Sequence, residues 1–477
     1  MPSAERLLTW PVALAVACAV SVVSAADAPP AQPATPAISY FRDIRPIFQT
    51  HCQGCHQPGK PMGEFVMTSF AGLLKGGESE EPAVVAGKPD ESNLLTLITP
   101  ADGKAEMPKD KEPLVEEHIK KIRQWIAEGA QDDTPMSVKA VVDAEHPPVY
   151  LGAPVLTAID FSPDGTLLAV SGYHETLLHH ADGSGLVGRL VGQSERIESL
   201  SFSPDGKSLA VCGGSPGRLG ELQIWDVAAR TLKQSLSITY DTVYGASWSP
   251  DGTKVAFGCA DNTVRAIDAA SAKQVLYLGA HSDWVLDTVF SKDGTYLISV
   301  SRDRSMKLLE VATQRFVDNI TSITPGALKG GLAAVDRHPQ KDELLIGGAD
   351  GVPKIYQMLR TKARVIGDDF NLIKAYEVVP GRIFDVDFNA DGSRFAVGSS
   401  LDGTGEVRVY ETDSGKLLSK LAAAHSGVYC VRFNPAGNLV ASAGFDGLVR
   451  LSDAQTGALV KEFSPVPPAT EVAATVK

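Results

Sequence analysis

Over most of the chain apolar and polar positions alternate in short runs, and the runs recur. The block Phe161-Ser162-Pro163-Asp164-Gly165 returns as Phe202-Ser203-Pro204-Asp205-Gly206 and Trp248-Ser249-Pro250-Asp251-Gly252. It returns again at Phe290-Ser291-Lys292-Asp293-Gly294, Phe388-Asn389-Ala390-Asp391-Gly392 and Phe433-Asn434-Pro435-Ala436-Gly437. The gap of 98 residues from Phe290 to Phe388 is twice the usual spacing. A degenerate copy fills it at Val335-Asp336-Arg337-His338-Pro339, with Arg337 in the place of the aromatic. Each unit reads as an alternating strand ending in the aromatic, a tight Pro-Asp-Gly turn and three further strands. In the second unit these strands are Ser208–Val211, Leu222–Asp226 and Leu232–Leu236. Four strands per unit, repeated every 41 to 51 residues, describe the blades of a propeller. The expectation is a seven-bladed all-β propeller over residues 149–466, closed by either Leu459–Phe463 or Val149–Leu151, with a flexible tail at 467–477.

Before residue 149 the periodicity changes. Leu114, Val115, Ile119, Ile122, Trp125 and Ile126 fall on one face at 3.6 residues per turn. Pro113 suits the first helical position and Gly129 a stop. A shorter helix is predicted from Phe41 to Thr50, giving a small all-α domain over 39–135 and a linker at 136–148. Further upstream, Leu7 to Val23 is an apolar run broken only by Thr9, Pro11 and Ser21; Arg6 precedes it and Ser24-Ala25-Ala26 follows. That layout predicts a secretory signal peptide over 1–26, with an uncleaved anchor as the alternative, and then a Pro/Ala-rich linker over 27–38. Cys18 sits in a weak lipoprotein-like context and goes with the discarded segment. No later stretch is long and apolar enough for a helical span, so the expected location is periplasmic, with no membrane span in the mature chain.

Between the two predicted helices lies His51-Cys52-Gln53-Gly54-Cys55-His56. Its C-x-x-C-H spacing is that of a c-type haem attachment site. Two thiols three positions apart each reach one porphyrin vinyl group, and the following imidazole reaches the iron. Half of a zinc site is the alternative, but zinc wants a second ligand pair, and none follows in the next hundred residues. The candidate residues are Cys52, Cys55 and His56, with Met107 as the second axial ligand. Met107 lies 51 residues after His56, in a polar stretch before the last helix, where a loop has room to fold over the far face. Met62 is too near in sequence and Met67 intermediate; a second histidine or an open position stays open. His118, between Glu116-Glu117 and Lys120-Lys121, is expected on the solvated side.

The order Phe41-Arg42-Asp43-Ile44-Arg45-Pro46-Ile47-Phe48, C-x-x-C-H, Gly76-Gly77, Gly87-Lys88-Pro89-Asp90-Glu91-Ser92, Met107-Pro108 and Ile122 to Ala130 resembles the planctomycete-type cytochrome c domain. The resemblance implies one haem c, with His56 proximal and Met107 distal. The repeats resemble WD40 repeats. Trp225-Asp226 is the intact dipeptide, with relaxed versions at Ile267-Asp268, Leu309-Glu310, Tyr410-Glu411 and Ser452-Asp453. His281 with Ser301 and Asp303 then matches the family's buried hydrogen-bonded set, and His425 with Asp446 a second partial one; both read as structural.

The net charge of −13 over 477 residues argues against nucleic acid as a partner. Removing Cys18, Cys52 and Cys55 leaves Cys212, Cys259 and Cys430, an odd set inside predicted strands that reads as buried free thiols. The adjacent pair His179-His180 points to opposite faces of a strand and makes a poor metal site. An insertion at 359–371 carries three cations and then two carboxylates, and is either a contact loop or a solvated excursion. The expected function is one-electron transfer by an exported monohaem cytochrome whose propeller docks a redox protein partner. Two alternatives remain: an oxidoreductase whose propeller binds substrate, which requires charged groups converging on the central channel, and a scaffold with haem as sensor or staple. Whether the chain is an enzyme stays open.

Overall fold

The computed structural model describes residues 38–57, 60–79, 81–134, 142–323, 329–365, 367–422 and 426–466. The expected signal peptide with Cys18, most of the Pro/Ala-rich linker, residues 136–141 of the second linker, His425 and the tail lie outside the described residues.

A helical region comes first. A wide turn at Tyr40–Ile44, capped by the Ser39 hydroxyl, runs into α1 (Arg45–His51); α2 (Phe70–Lys75), α3 (Asn93–Ile98) and α4 (Glu116–Ala127) follow. The predicted face of α4 is the buried one: Ile119, Ile122, Trp125 and Ile126 pack onto Tyr40, Ile44 and Phe48. Each such side chain contributes roughly 1.5–3 kcal/mol when fully buried. The helix starts three residues later than Pro113 predicts. Val115 keeps an extended backbone (ψ 146°), and the segment before it delivers Leu114 to the core without helix. Gly129 ends α4 with φ 98°, a left-handed value that glycine adopts without penalty.

From residue 159 the chain folds into antiparallel meanders. Five four-stranded sheets cover 243–278, 285–319, 332–375, 382–420 and 428–463, and a seven-stranded sheet covers 159–239. The larger sheet owes its size to one long strand, Leu186–Phe202. Its first part pairs with Tyr173–His180 and its second with Ser208–Ser215. First strands of successive sheets lie side by side, and Val428–Phe433 lies beside Ile159–Phe161. Leu156 N donates to Gly444 O at 2.9 Å, and Ile159, Phe161 and Leu168 share a core with Cys430, Ala441 and Val449. Together the sheets form a propeller-like assembly. Of the two candidates for the last outer strand, Leu459–Phe463 takes the place, paired with Val449–Asp453. Val149–Leu151 joins no strand; the Tyr150 hydroxyl donates to Glu175 at 2.7 Å instead.

The recurring turn explains the recurring sequence. The Ser162 hydroxyl donates to Asp164 at 2.6 Å and accepts from Leu167 N at 2.9 Å, and Gly165 sits at φ 70°. The same arrangement recurs at Ser203–Asp205, Ser249–Asp251 and Ser291–Asp293. In the degenerate copy Arg337 donates to Phe290 O at 3.0 Å and His338 O at 2.9 Å. It thus reaches a carbonyl of the preceding sheet, as the Trp248 indole does at Ser201 O.

One expectation needs correction. His281 does bond Asp303 (2.9 Å), but its other nitrogen meets Ser299 at 2.8 Å rather than Ser301, whose hydroxyl donates to Asp283 O. Strand alternation is the reason: Ser299 and Ser301 share a face, and the histidine reaches the one nearer mid-strand. Asp446, whose expected partner His425 lies outside the described residues, pairs with Arg450 four residues on, at 2.7 Å. Asp261–Arg265 and Asp350–Lys354 repeat that staple. In the 359–371 insertion the three cations have partners among the described residues. Arg360 pairs with Asp368, Arg364 with Asp318, and the Lys362 ammonium stands 5.2 Å from the Phe370 ring. Cys212, Cys259 and Cys430 are free and buried, as expected.

Candidate haem site

The end of α1 carries the C-x-x-C-H motif. Cys52 N and Gln53 N both donate to Phe48 O at 2.9 Å, closing the helix, and Cys55 N and His56 N donate to Cys52 O at 3.1 and 3.2 Å. The motif is therefore one compact turn. Residues 62–67 cradle it from the other side. Met62 N donates to Cys55 O at 3.1 Å and Met67 N to His56 O at 2.9 Å, and the buried Gln53 amide donates to Met67 O at 2.8 Å.

His56 Nδ1 lies 2.9 Å from Met62 O, with the Phe65 ring against its edge at 5.4 Å between centroids. A carbonyl accepts only, so Nδ1 carries the proton and Nε2 the lone pair, which is how metal-bound histidines are held. Cys52 and Cys55 are free thiols, each half-buried. Burial pushes the Cys52 thiol up to about 12, with Cys55 adding to the shift, and its sulfur packs on the helical core. Among the described residues no group of three or more His, Cys, Asp or Glu is arranged to hold a bare metal ion. Two sulfurs beside one oriented imidazole fit haem c better than tetrahedral zinc.

The three methionines separate by environment. Met67 is 1% exposed and belongs to the core, and Met62 is exposed with its carbonyl committed to His56. Met107 is half-buried against the same core, with its backbone N bonded to Leu97 O at 2.9 Å between α3 and α4. His118 departs from expectation. It is half-buried, its ring centroid is 5.6 Å from that of His51, and its buried Nδ1 has no partner among the described residues. The signal was present in the spacing: His118 lies four residues before Ile122 and seven before Trp125, both on the buried face. The flanking charges concealed it. His51 is held below the usual histidine range by burial, then by His118 and Lys111.

A second place gathers chemistry that no single motif announces. The first strands of the sheets line a cavity of about 320 Å³ walled by Tyr244, Phe384 and Tyr429, with Glu198, Asp287, Asp385 and Arg432. Arg432 Nη1 donates to Asp385 at 2.7 Å, while burial pushes the Asp287 carboxyl up to about 7 and raises Glu198 as well. Outside the lining, Arg432 also faces Asp387 at 4.0 Å and attracts Asp160. Burial raises both, Asp160 to about 6, against the attraction of Arg432. Each occupies the position before a repeat aromatic, and that offset was the available sequence signal.

A small helical unit presenting a c-type attachment turn, followed by propeller-like sheets, defines the class of protein. Residues 52–111 match the family described as Planctomycete cytochrome C, and residues 184–226, 230–268, 272–309 and 415–453 match the WD domain, G-beta repeat. A cytochrome c-like domain and WD40 repeats are thus both present in this chain, the fusion that the motifs suggested. The curated relatives are WD proteins. The chain is 24% identical over 303 residues to a WD repeat-containing protein 26 homolog of Arabidopsis thaliana, covering 61% of this chain and 47% of that one. It is 22% identical over 265 residues to the serine-threonine kinase receptor-associated protein of Gallus gallus (49% and 73%), and 24% over 240 residues to the Homo sapiens protein of that name (44% and 66%). The chain therefore spans about half the length of the Arabidopsis relative. No helix among the described residues is long and apolar enough to cross a membrane.

Proposed function

We propose that this chain is an exported monohaem c-type cytochrome that passes single electrons to or from a redox protein docked on its WD40 sheets. The observation carrying this reading is the His56 ring, held by the Met62 carbonyl with Nε2 left as donor, beside two free thiols. In this reading Cys52 and Cys55 would hold the porphyrin through thioethers, and His56 and Met107 would supply the ligands to its iron. Haem supplies a one-electron iron couple when bound. Met107 in the second position sets a higher potential than a histidine there. The helical core excludes water, and Gln53 keeps the turn in register through Met67 O. Docking rests on the general role of WD40 repeats in protein–protein contact. Periplasmic location rests on the sequence of residues 1–26 and on the export compartment being where haem is attached. We take the 159–239 sheet as two blades sharing the strand Leu186–Phe202, so that seven blades close as a ring between Val428–Phe433 and Ile159–Phe161.

The test is a haem-stained denaturing gel and a reduced-state visible spectrum on the full chain, produced where haem attachment operates. Covalent stain and a sharp reduced spectrum are expected; an unstained, colourless product refutes the proposal. One observation favours a second reading. Carboxylates and a guanidinium do converge on the cavity among the first strands, as an oxidoreductase with substrate on its propeller requires.

A further inference from the structure

We infer that the cavity among the first strands of the sheets binds a small organic cation, an ammonium or guanidinium group, between the rings of Tyr244, Phe384 and Tyr429 and the carboxylates of Glu198 and Asp287. The inference concerns binding alone and holds whether or not the cavity takes part in redox chemistry.

Charge is the first argument. Three carboxylates and one guanidinium line the cavity, and Arg432 is committed to Asp385. Asp287 spends its oxygens on Thr288 N and Val335 N, both at 2.9 Å, and has no cation in ion-pair contact among the described residues. Glu198 makes neither a hydrogen bond nor an ion pair to them; burial raises it, and Arg196 opposes that only through space. A carboxylate partly withdrawn from water and given no cation is short of its best partner. Burial raises the proton affinity of both groups, as expected of sites short of a cation.

The walls give the second, independent argument. Tyr244, Phe384 and Tyr429 come from three different sheets, and Phe384 and Tyr429 stand 5.0 Å apart between centroids. Ring faces attract organic cations and do little for a hydrated metal ion. The described residues also offer no cluster of three or more His, Cys, Asp or Glu suited to a bare metal. About 320 Å³ lies at the small end of ligand cavities, which fits an alkylammonium better than a nucleotide. The same group arrives equally well as a free amine or as the side chain of a lysine or arginine on a partner's loop.

Calorimetric titration of the full haem-loaded chain tests this with butylammonium, with the isosteric neutral probe butan-1-ol, and with a short lysine-containing peptide. Butylammonium is expected to bind about tenfold or more tighter than the alcohol. A tighter peptide assigns the cation to a protein partner, and a tighter free amine assigns it to a small molecule. Glu198→Gln, which breaks no hydrogen bond, should weaken the cation and leave the alcohol unchanged, with the visible spectrum unaltered. Phe384→Leu should weaken it about threefold or more. Equal affinity for amine and alcohol, no heat from either cation, or unchanged affinity in folded Glu198→Gln overturns the inference.

Discussion

The helical region and the sheets solve the problem of placing chemistry in opposite ways. In the first, six consecutive residues at the end of α1 hold nearly every functional group, and the core behind them needs only to keep one turn in shape. In the second, each repeat contributes one or two residues to a shared charged cluster. Asp160, Glu198, Asp287, Asp385 and Arg432 are spread over more than 270 residues and meet only because the first strands lie side by side. The ion pairs follow the same division. Those of the helical region are exposed, such as Lys120–Glu116. The sheets carry exposed pairs too, such as Lys207–Asp205, but they add buried ones: the Glu175 side chain, fully buried, takes Arg189 at 2.6 Å. A contiguous site survives changes elsewhere in the fold, whereas a distributed one depends on the assembly.

The largest expected effect lies in the contiguous site. Cys52→Ala with Cys55→Ala should abolish covalent haem entirely while leaving the thermal transition of the sheets where it was. Calorimetry and gel staining on the same preparation check both halves. A sheet transition that collapses with the haem would show that the two regions are not separable, and the contrast would fall.

Next comes the distributed site. Arg432→Met leaves Asp385 without its 2.7 Å partner and Asp387 and Asp160 without the cation that opposes their burial. Breaking a buried pair from one side costs about 3–5 kcal/mol, readable as a lower urea midpoint with unchanged slope. A loss under about 1 kcal/mol would mean that water screens the channel as it does an ordinary surface pair.

Legibility in the sequence follows from the same contrast. The C-x-x-C-H turn, the buried face of α4 and the Pro-Asp-Gly turns were readable because each is local: spacing of a few residues dictates shape. Ser299 in place of Ser301 was not, because both serines share a face and which one the histidine reaches depends on how the segment before Val285 folds back over that strand. Asp287 was invisible as chemistry. It sits three residues before Phe290, where a polar residue reads as solvent-facing until the neighbouring first strands enclose it. The charges around His118 misled for a similar reason, since helical angle outweighs the polarity of sequence neighbours.

A smaller effect distinguishes the two regions by pH. The Asp287 carboxyl is raised to about 7, against roughly 3.9 when unfolded. Raised in the folded state, it contributes stability that is complete below about pH 4 and is lost as pH rises through 7. The histidines held low by burial, His281 among them, act in the opposite sense but only below about pH 6.5. The window from pH 6.5 to 8 therefore leaves the histidines aside and reads the raised carboxyls, Asp287 together with Asp160, Asp336 and Asp387. Around Asp287 stand Asp385, Arg432 and Glu198; Arg432 stays charged throughout, and Glu198 shifts in the same direction as Asp287. Asp287 should account for about 1 kcal/mol or less of what the sheets lose across that window, a degree or two in Tm. Asp287→Asn should reduce the slope by that share, and a slope unchanged in that variant would remove Asp287 from the account.

The smallest effect is expected at the surface of the helical region. Arg123 Nη1 meets Asp90 at 2.6 Å, tying α4 to the turn at Pro89–Glu91, but both side chains are largely exposed. Exposed pairs contribute about 0–1 kcal/mol, because water screens the attraction and two long side chains must be ordered. Arg123→Ala should therefore move the helical transition barely at all, and 1 M salt should erase what shift there is. The matched substitution among the sheets is Arg450→Ala. Its guanidinium is 8% exposed and lies 2.7 Å from Asp446 and 2.8 Å from Glu462. That change should cost several times more and resist salt, because the carboxylates left behind are less accessible to water. If the two arginines proved equivalent in melts of the same chain, burial of charge could not be what separates the distributed region from the contiguous one. The explanation would then have to come from the backbone ladders alone.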